Sequence, residues 1–394
     1  TATEDGLVSL VENHIYALQK EGKVSLDQFV RFGVPNGNGF KYYRYRLPNT
    51  TEVALRELAY QEDGKLDSEY RKQIEEPFNQ AVLDYESQRA KELSTKERRT
   101  LARKQADAEH AHFVAFKRAR DDFRFRHKYL CFVKADGDNM GKVIQAIGNA
   151  SGDLQQLSKI LAEFAQAAVN EILAFGGIPI YAGGDDLFFV APVQNERQAH
   201  ILQLIKSLDE AFPQQALIRL AKQHQPGIKD LPSLSFGLSL TYHKYPMAEA
   251  LENVDTLLLE NAKQFELPGG KKNAVAFRVL KHSGQAFGTT LSKAELDKLL
   301  DLIAQSRQVD FNFLTSVQHK LADTKVLFED ALQHDVLPYY FEHHFNESVH
   351  QDNTFLQAVQ AFCQLTYQMR TKDFDQVVYP ALRFLQFLNQ QDHD

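Results

Sequence analysis

Two acidic clusters carry the chemistry that can be read in this 394-residue chain. The first, Asp136-Gly137-Asp138-Asn139-Met140-Gly141, directly follows the apolar run Leu130 to Ala135. The second, Gly183-Gly184-Asp185-Asp186, lies about 45 residues further on, between two more apolar runs. If these runs are neighbouring strands, Asp136 converges on Asp185 and Asp186. Three carboxylates so close repel one another and raise one another's pKa unless a cation sits among them. Hard oxygen ligands select Mg²⁺ or Mn²⁺, and such ions bridge triphosphate oxygens and hold an attacking hydroxyl in line. Gly137 and Gly141 lack side chains where a triphosphate would approach backbone N–H groups, and Gly183 and Gly184 let the turn lie close against a nucleotide. Gly137, Gly141, Gly183 and Gly184 are therefore candidate nucleotide contacts.

Bringing those carboxylates together takes a sheet, and residues 125–285 have its pattern. Tyr129 to Ala135 reads as a strand. A stripe of Leu154, Leu157, Leu161, Phe164, Ala168, Ile172 and Leu173, with Asp153 at the N-cap and Gly176-Gly177 at the end, predicts an amphipathic helix. Ile178 to Ala182 and Leu187 to Ala191 flank the glycine turn as a hairpin. A helix over Glu196 to Phe212, a strand over Leu234 to Tyr242, a helix over Pro246 to Gln264 and a strand over Ala274 to Leu280 follow. The order β-α-β-β-α-β with additions predicts an α+β fold, a ferredoxin-like palm with helices on one face of the sheet. In Lys271-Lys272-Asn273, which follows Pro268-Gly269-Gly270, a lysine is placed to reach phosphates as a point charge, and Ser235 and Phe236 to meet a base.

On either side the pattern is helical. Residues 1–124 read as a mainly helical, basic N-terminal region and as a fragment of a larger domain, with helices over Leu7 to Gln19 and Glu69 to Arg120 around a Gly/Pro/Asn loop, Phe32 to Asn38. From Tyr85 to Lys128 there are 13 Lys/Arg against 7 Asp/Glu. Such a run is either a solvated helix face or an RNA backbone contact, and Arg98, Arg99, Arg103 and Lys104 are its candidates. Residues 286–394 read as four or five packed helices serving as an interaction module. Overall the chain is acidic, with net charge -7, so any nucleic-acid contact is local. Two cysteines, Cys131 and Cys363, are too few for a disulfide framework or a four-cysteine zinc site. With no signal peptide and no membrane-length apolar run, the expected setting is the cytoplasm.

Taken together, Lys134 to Gly141, Tyr181 to Asp186, Ser235-Phe236-Gly237 and Lys272-Asn273-Ala274 resemble the polymerase-like large subunit of type III-B (Cmr-type) CRISPR effector complexes. The resemblance is close over residues 125–285 and loose beyond them. It implies a palm that converts ATP into a signalling nucleotide, usually a cyclic oligoadenylate, when target RNA binds. It also implies Asp136, Asp185 and Asp186 as metal ligands, with Asp185 and Asp186 at the centre of catalysis. The Asp136 to Gly141 loop, with Asp138, Asn139 and Met140, becomes a phosphate cradle and Lys272 a phosphate contact, and the partners are the other complex subunits, guide RNA and target RNA. Some members instead join AMP to S-adenosylmethionine.

The chain departs from that family pattern in three ways. Adjacent His-Asp occurs only at His334-Asp335 and His393-Asp394, so DNA cleavage by a histidine-aspartate nuclease domain is not expected. The zinc module is missing, and residues 1–124 show no convincing earlier palm. Three further readings stand beside oligoadenylate synthesis: the S-adenosylmethionine conjugate, a catalytically silent RNA-binding scaffold, and a diguanylate cyclase. The last family shares the palm but resembles Gly-Gly-Asp/Glu-Glu-Phe at the turn, where this chain has Asp185-Asp186-Leu187.

Overall fold

A computed structural model describes residues 30–35, 41–46, 49–61, 65–89, 94–148, 151–267, 270–307, 309–345, 353–370 and 373–391. The helix expected over Leu7 to Gln19 lies outside them. The chain divides into two compact units, Thr1–Phe123 and Arg124–Asp394.

In the first unit, β1 (Val30–Pro35) and β2 (Lys41–Arg46) pair antiparallel. Phe32 to Pro35, expected in a loop, are thus strand, and residues 36–38 lie outside the described ones. The tyrosine-rich sequence Lys41-Tyr42-Tyr43-Arg44-Tyr45 has the β propensity to favour the extended form despite the neighbouring glycines. The expected Glu69 to Arg120 helix includes α1 (Glu76–Arg89) and α2 (Thr95–Arg118), the second started by a Ser94/Glu97 capping box. Tyr70, Ile74, Phe78, Phe113 and Phe116 form this unit's core.

The second unit is built on a six-stranded sheet. Its strands are β3 (Tyr129–Asp138), β4 (Ile178–Gly183), β5 (Asp186–Pro192), β6 (Ser233–Tyr242), β7 (Ala274–Leu280) and β8 (Ala286–Ser292), in the order β8-β7-β6-β3-β5-β4. The middle of that order, β6-β3-β5-β4, is antiparallel throughout and has ferredoxin-like connectivity, while β7 joins β6 in parallel. The fold is the expected α+β palm, except that helices pack on both faces of the sheet and not on one. Period-two alternation divides its faces: Tyr129, Cys131, Val133, Leu234, Phe236 and Leu238 enter the main core. Lys134, Asp136, Asp138, Ser235, Gly237 and Ser239 are on the other side.

Helices α3 (Met140–Ile147), α4 (Ser151–Phe175), α5 (Ile201–Ala211) and α6 (Gln214–His224) contribute to the main core. Three local expectations change. Asp153 lies inside α4, with its carboxylate 2.7 Å from His224 Nε2, and is no N-cap. The helix expected from Glu196 starts at Ile201, because Gln194 and His200 first form an antiparallel bridge. A separate helix, α6, follows it.

The opposite face receives α7 (Met247–Thr256), which runs into a π-helical turn, Leu257–Ala262. Gly237 permits this close approach: a Cβ there would lie 2.6 Å from Leu258 N and 2.8 Å from Val254 O. Asn253 secures it by donating to Ser239 Oγ at 2.8 Å.

Residue 286 is no break in the structure. It opens β8, which pairs with β7 along its whole length, and the next helix starts at once from the Ser292/Glu295 capping box. Six helices are described in place of the four or five expected: α8 (Lys293–Ser306), α9 (Phe311–Asp323), α10 (Lys325–Gln333), α11 (Leu337–His344), α12 (Asn353–Met369) and α13 (Asp375–Asn389). Their apolar faces share one core with the sheet, as Phe277 against Phe384 illustrates, with ring centroids 5.1 Å apart. Cys131 and Cys363 are buried and free.

Candidate active site

The register of β3 sets the site. Ala135 is opposite Leu187 on β5, and Asp136 is opposite Ser235 on β6, so the acidic loop and the glycine turn emerge from adjacent strand ends. Gly183 pairs with Asp186, and Gly184 takes the first central position of the turn at φ 68°, where glycine is favoured. Asp185 is thereby folded back over β3. A Cβ on Gly137 would lie 2.3 Å from Asp185 Oδ2 and 2.7 Å from Met140 Cγ. Gly137 is thus needed for the carboxylate itself to approach, a role different from the phosphate approach expected of it. Its N–H also donates to the Asp185 carboxylate.

Burial and like-charge crowding both disfavour ionised carboxylates here. Desolvation raises the Asp185 pKa, with Asp136 adding to it. Asp186 is pushed up to about 6, first by desolvation and then by a hydrogen bond to Asp136 and the charges of Asp136 and Asp185. The expected convergence of Asp136, Asp185 and Asp186 is therefore present. Among the described residues, however, no three His, Cys, Asp or Glu side chains form a ready metal cage.

Lys263 reaches into the acidic centre. Its Nζ lies 2.5 Å from Asp136 Oδ2, 2.7 Å from Gly137 O and 3.0 Å from Asp138 Oδ1. Sequence reasoning missed it. The π turn delivers it: Lys263 N donates to Leu258 O, five residues back, at 2.9 Å, and this wider winding turns the side chain toward the end of β3. A lysine inside a longer apolar helix pattern gives no signal of such a turn.

Asp138 and Ser235 are corrections. Both are fully buried, so they lie beneath the site and do not line it. Asp138 Oδ2 accepts from Ser233 Oγ at 2.8 Å, Ser235 Oγ at 2.7 Å and Asn273 N at 3.0 Å, tying β3, β6 and the approach to β7 together. Phe236, expected near a base, is buried in the main core under Lys293 Nζ, 4.4 Å from the ring centroid.

A cleft of about 670 Å³ opens above this floor, and among its lining residues are Asp136, Gly137, Asn139, Met140, Gly141 and Asp185. Lys272, Lys263 and Lys142 also line it. Asn139 adopts φ 59° and donates from Nδ2 to Leu231 O at 3.0 Å, turning β3 into α3 so that the N-terminus of α3 borders the cleft. Nothing lies within 4 Å of the position a Gly141 Cβ would take. Lys272 and Asn273 both have positive φ, 63° and 52°, and Lys272 N is anchored by Phe265 O at 2.6 Å. Lys142 is paired with Asp230. The arrangement joins acidic oxygens at one side of a cleft to lysines and an open helix N-terminus, a pattern matched to a metal-bound polyphosphate. Arg98, Arg99, Arg103 and Lys104 are exposed on α2 of the first unit.

Residues 129–276 match the family model for Cas10/Cmr2, second palm domain. Over that stretch, somewhat more than a third of its length, the chain is similar to a Cas10/Cmr2 palm. A stretch of 184 residues is 29% identical to the CRISPR system Cmr subunit Cmr2 of Pyrococcus furiosus, covering 41% of this chain and 19% of that protein. The chain thus spans about a fifth of the curated relative it matches. It is also similar to a chain in a cryo-EM structure of type III-B Cmr-beta in the apo state, at TM-score 0.35 and 14% identity over 54% of this chain and 33% of that one. Among the described residues, no helix is long and apolar enough to cross a membrane.

Proposed function

We propose that this palm is the nucleotidyltransferase centre of a type III CRISPR complex, making a cyclic oligoadenylate from ATP when target RNA is bound. The observation that carries the reading is the approach of Asp185 to the end of β3 beside Asp136, at the edge of a cleft shared with Lys272. A ribose hydroxyl oxygen would bond to the α-phosphorus of a second ATP. The bond from that phosphorus to the bridging oxygen would break, pyrophosphate would leave, and the hydroxyl proton would pass to solvent. Asp136, Asp185 and Asp186 are the oxygen donors that fit Mg²⁺ or Mn²⁺, since their like charges are crowded and only partly offset by Lys263. A divalent ion bound there supplies Lewis-acid polarisation of phosphate oxygens and lowers the pKa of the attacking hydroxyl. Lys272 and the amides at the start of α3 orient the triphosphate, and the buried Asp138 holds the floor on which those groups rest. Positioning and charge neutralisation account for most of the acceleration in such transfers. The partners in this reading are the other Cmr subunits, guide RNA and target RNA, the last two met in part by Arg98, Arg99, Arg103 and Lys104.

The test is to incubate the assembled complex, with guide and matching target RNA, with labelled ATP and Mg²⁺, with and without S-adenosylmethionine. An Asp185→Ala/Asp186→Ala complex runs beside it. Oligoadenylate from ATP alone, absent in the variant, is the expected result. Product only with S-adenosylmethionine would reassign the acceptor, and no product with RNA still bound would leave a scaffold.

A further inference from the structure

Lys263 sits where a cation is needed. Its side chain is nine-tenths buried, and its ammonium contacts Asp136 Oδ2, Gly137 O and Asp138 Oδ1, at 2.5, 2.7 and 3.0 Å. Two of those oxygens, on Asp136 and Gly137, belong to residues that line the cleft. The third belongs to a fully buried carboxylate whose Oδ1 makes no hydrogen bond of good geometry. The placement depends on three features of the backbone: the π turn over Leu257–Ala262, the missing Cβ of Gly237, and the bond from Lys263 N to Leu258 O. An ordinary α-helical turn would rotate residue 263 by about a quarter of a turn.

An ammonium and a divalent cation compete for these oxygens. Both need the lone pairs of Asp136, and their like charges repel strongly at contact distance in a partly desolvated site. We propose that Lys263 is a built-in counter-ion of the acidic centre, holding it together without metal and competing with the divalent cation for Asp136. This rests on the metal-dependent reading above. Metal alone then binds weakly, because it must displace the lysine. Metal arriving with a nucleotide binds better, because the triphosphate gives the displaced ammonium a new anionic partner in the same cleft. Lys263 thereby couples occupation of the acidic centre to the presence of nucleotide.

The experiment is a Mn²⁺ titration of the full chain without nucleotide, following free Mn²⁺ by electron paramagnetic resonance. Wild type is compared with Lys263→Met, which keeps the length and loses the charge, with Lys263→Arg, which keeps a cation, and with Asp185→Ala/Asp186→Ala. The expected result is Mn²⁺ binding about tenfold tighter in Lys263→Met than in wild type, the ratio that about 1.4 kcal/mol of competition produces. Lys263→Arg should resemble wild type. Thermal unfolding gives a second readout that a poorly folding variant cannot evade: Lys263→Met should melt below wild type without metal and gain more from added Mn²⁺. Equal or weaker Mn²⁺ binding in Lys263→Met, with no larger gain on melting, overturns the counter-ion role while leaving the metal site intact. Mn²⁺ binding that is absent in wild type and Lys263→Met alike overturns both this role and the metal-dependent reading. Binding that survives unchanged in Asp185→Ala/Asp186→Ala does the same.

Discussion

Gly137, near the end of β3, and Gly141, in the first turn of α3, lie four residues apart, and the same substitution at each should have opposite effects. Neither is among the residues with positive φ, so alanine at either position meets no backbone strain and its effect is steric. At Gly137 the new methyl would stand 2.3 Å from Asp185 Oδ2 and 2.7 Å from both Asp185 Cβ and Met140 Cγ. Ordinary contact needs about 3.5 Å, so the Asp185 side chain must retreat by about 1 Å or more. Overpacking of this kind costs about 1–3 kcal/mol. Moving one carboxylate out of a metal set lowers metal affinity by about 10–100-fold, by analogy with the loss of groups that orient metal ligands. At Gly141 the methyl meets nothing within 4 Å, and a helical Gly→Ala change adds about 0.5–1 kcal/mol of stability. If phosphate approaches the amides there, Gly141→Ala should nevertheless weaken nucleotide binding. Urea unfolding and Mn²⁺ titration of the two variants measure all of this. The reasoning fails if Gly137→Ala matches wild type in both stability and Mn²⁺ affinity, or if Gly141→Ala is the less stable of the pair.

Further expectations follow from the charges and the buried bonds. Asp186 has a folded pKa near 6 against about 3.9 unfolded, so the folded state binds the proton more tightly and loses stability as pH rises from about 4 to 6. Because its side chain reaches solvent, the loss is discounted to about 1 kcal/mol, and the difference between wild type and Asp186→Asn in urea at pH 4.5 and 7 reads it. Equal slopes in the two proteins would remove the basis for this expectation. Asp138→Ala leaves Ser233, Ser235 and the Asn273 amide without their acceptor and should cost about 2–4 kcal/mol, whereas Asp185→Ala/Asp186→Ala relieves like-charge crowding and should leave the metal-free melting temperature equal or higher. Arg370 donates from Nε to the fully buried Glu295 at 2.8 Å, so Arg370→Met should cost about 3–5 kcal/mol, and Arg370→Met/Glu295→Met should recover most of it by thermal unfolding.

Much of the palm was legible because its strands are bounded by strong local signals. The apolar run before Asp136 and the glycine turn before Asp185 fix two strand ends, and the connectivity puts them side by side. The roles of individual residues were less legible. Asp136 and Asp138 look alike in sequence, but their positions along β3 differ: Asp136 is at the cleft, and Asp138 is one pleat deeper in the main-chain direction and enclosed by Ser233 and Ser235. That enclosure depends on β6, nearly a hundred residues away. Lys263 was invisible because its position depends on a π turn, which has no periodic signature. Strand β8 was missed because Ala286-Phe287-Gly288-Thr289-Thr290 is short and glycine-broken, and only pairing with β7 makes it extended. A Cβ on Gly288 would stand 2.1 Å from Phe277 O, so that glycine is a requirement of the pairing. The helices after β8 were legible individually from their apolar spacing, but their shared core with the sheet was not, since spacing says which face is buried and not against what.

The central claim is that the cleft bounded by Asp136, Asp185 and Lys272 holds ATP with a divalent cation. The most direct measurement is a crystal structure of the full chain with Mn²⁺ and an ATP analogue whose α–β bridge cannot be cleaved, located by the anomalous signal of manganese. The account predicts an anomalous peak at Asp136 and the Asp185-Asp186 pair, triphosphate density reaching Lys272 and the start of α3, and Lys263 withdrawn from Asp136. A nucleotide bound elsewhere, or Lys263 still seated on Asp136 and Asp138 with no peak beside them, would contradict it.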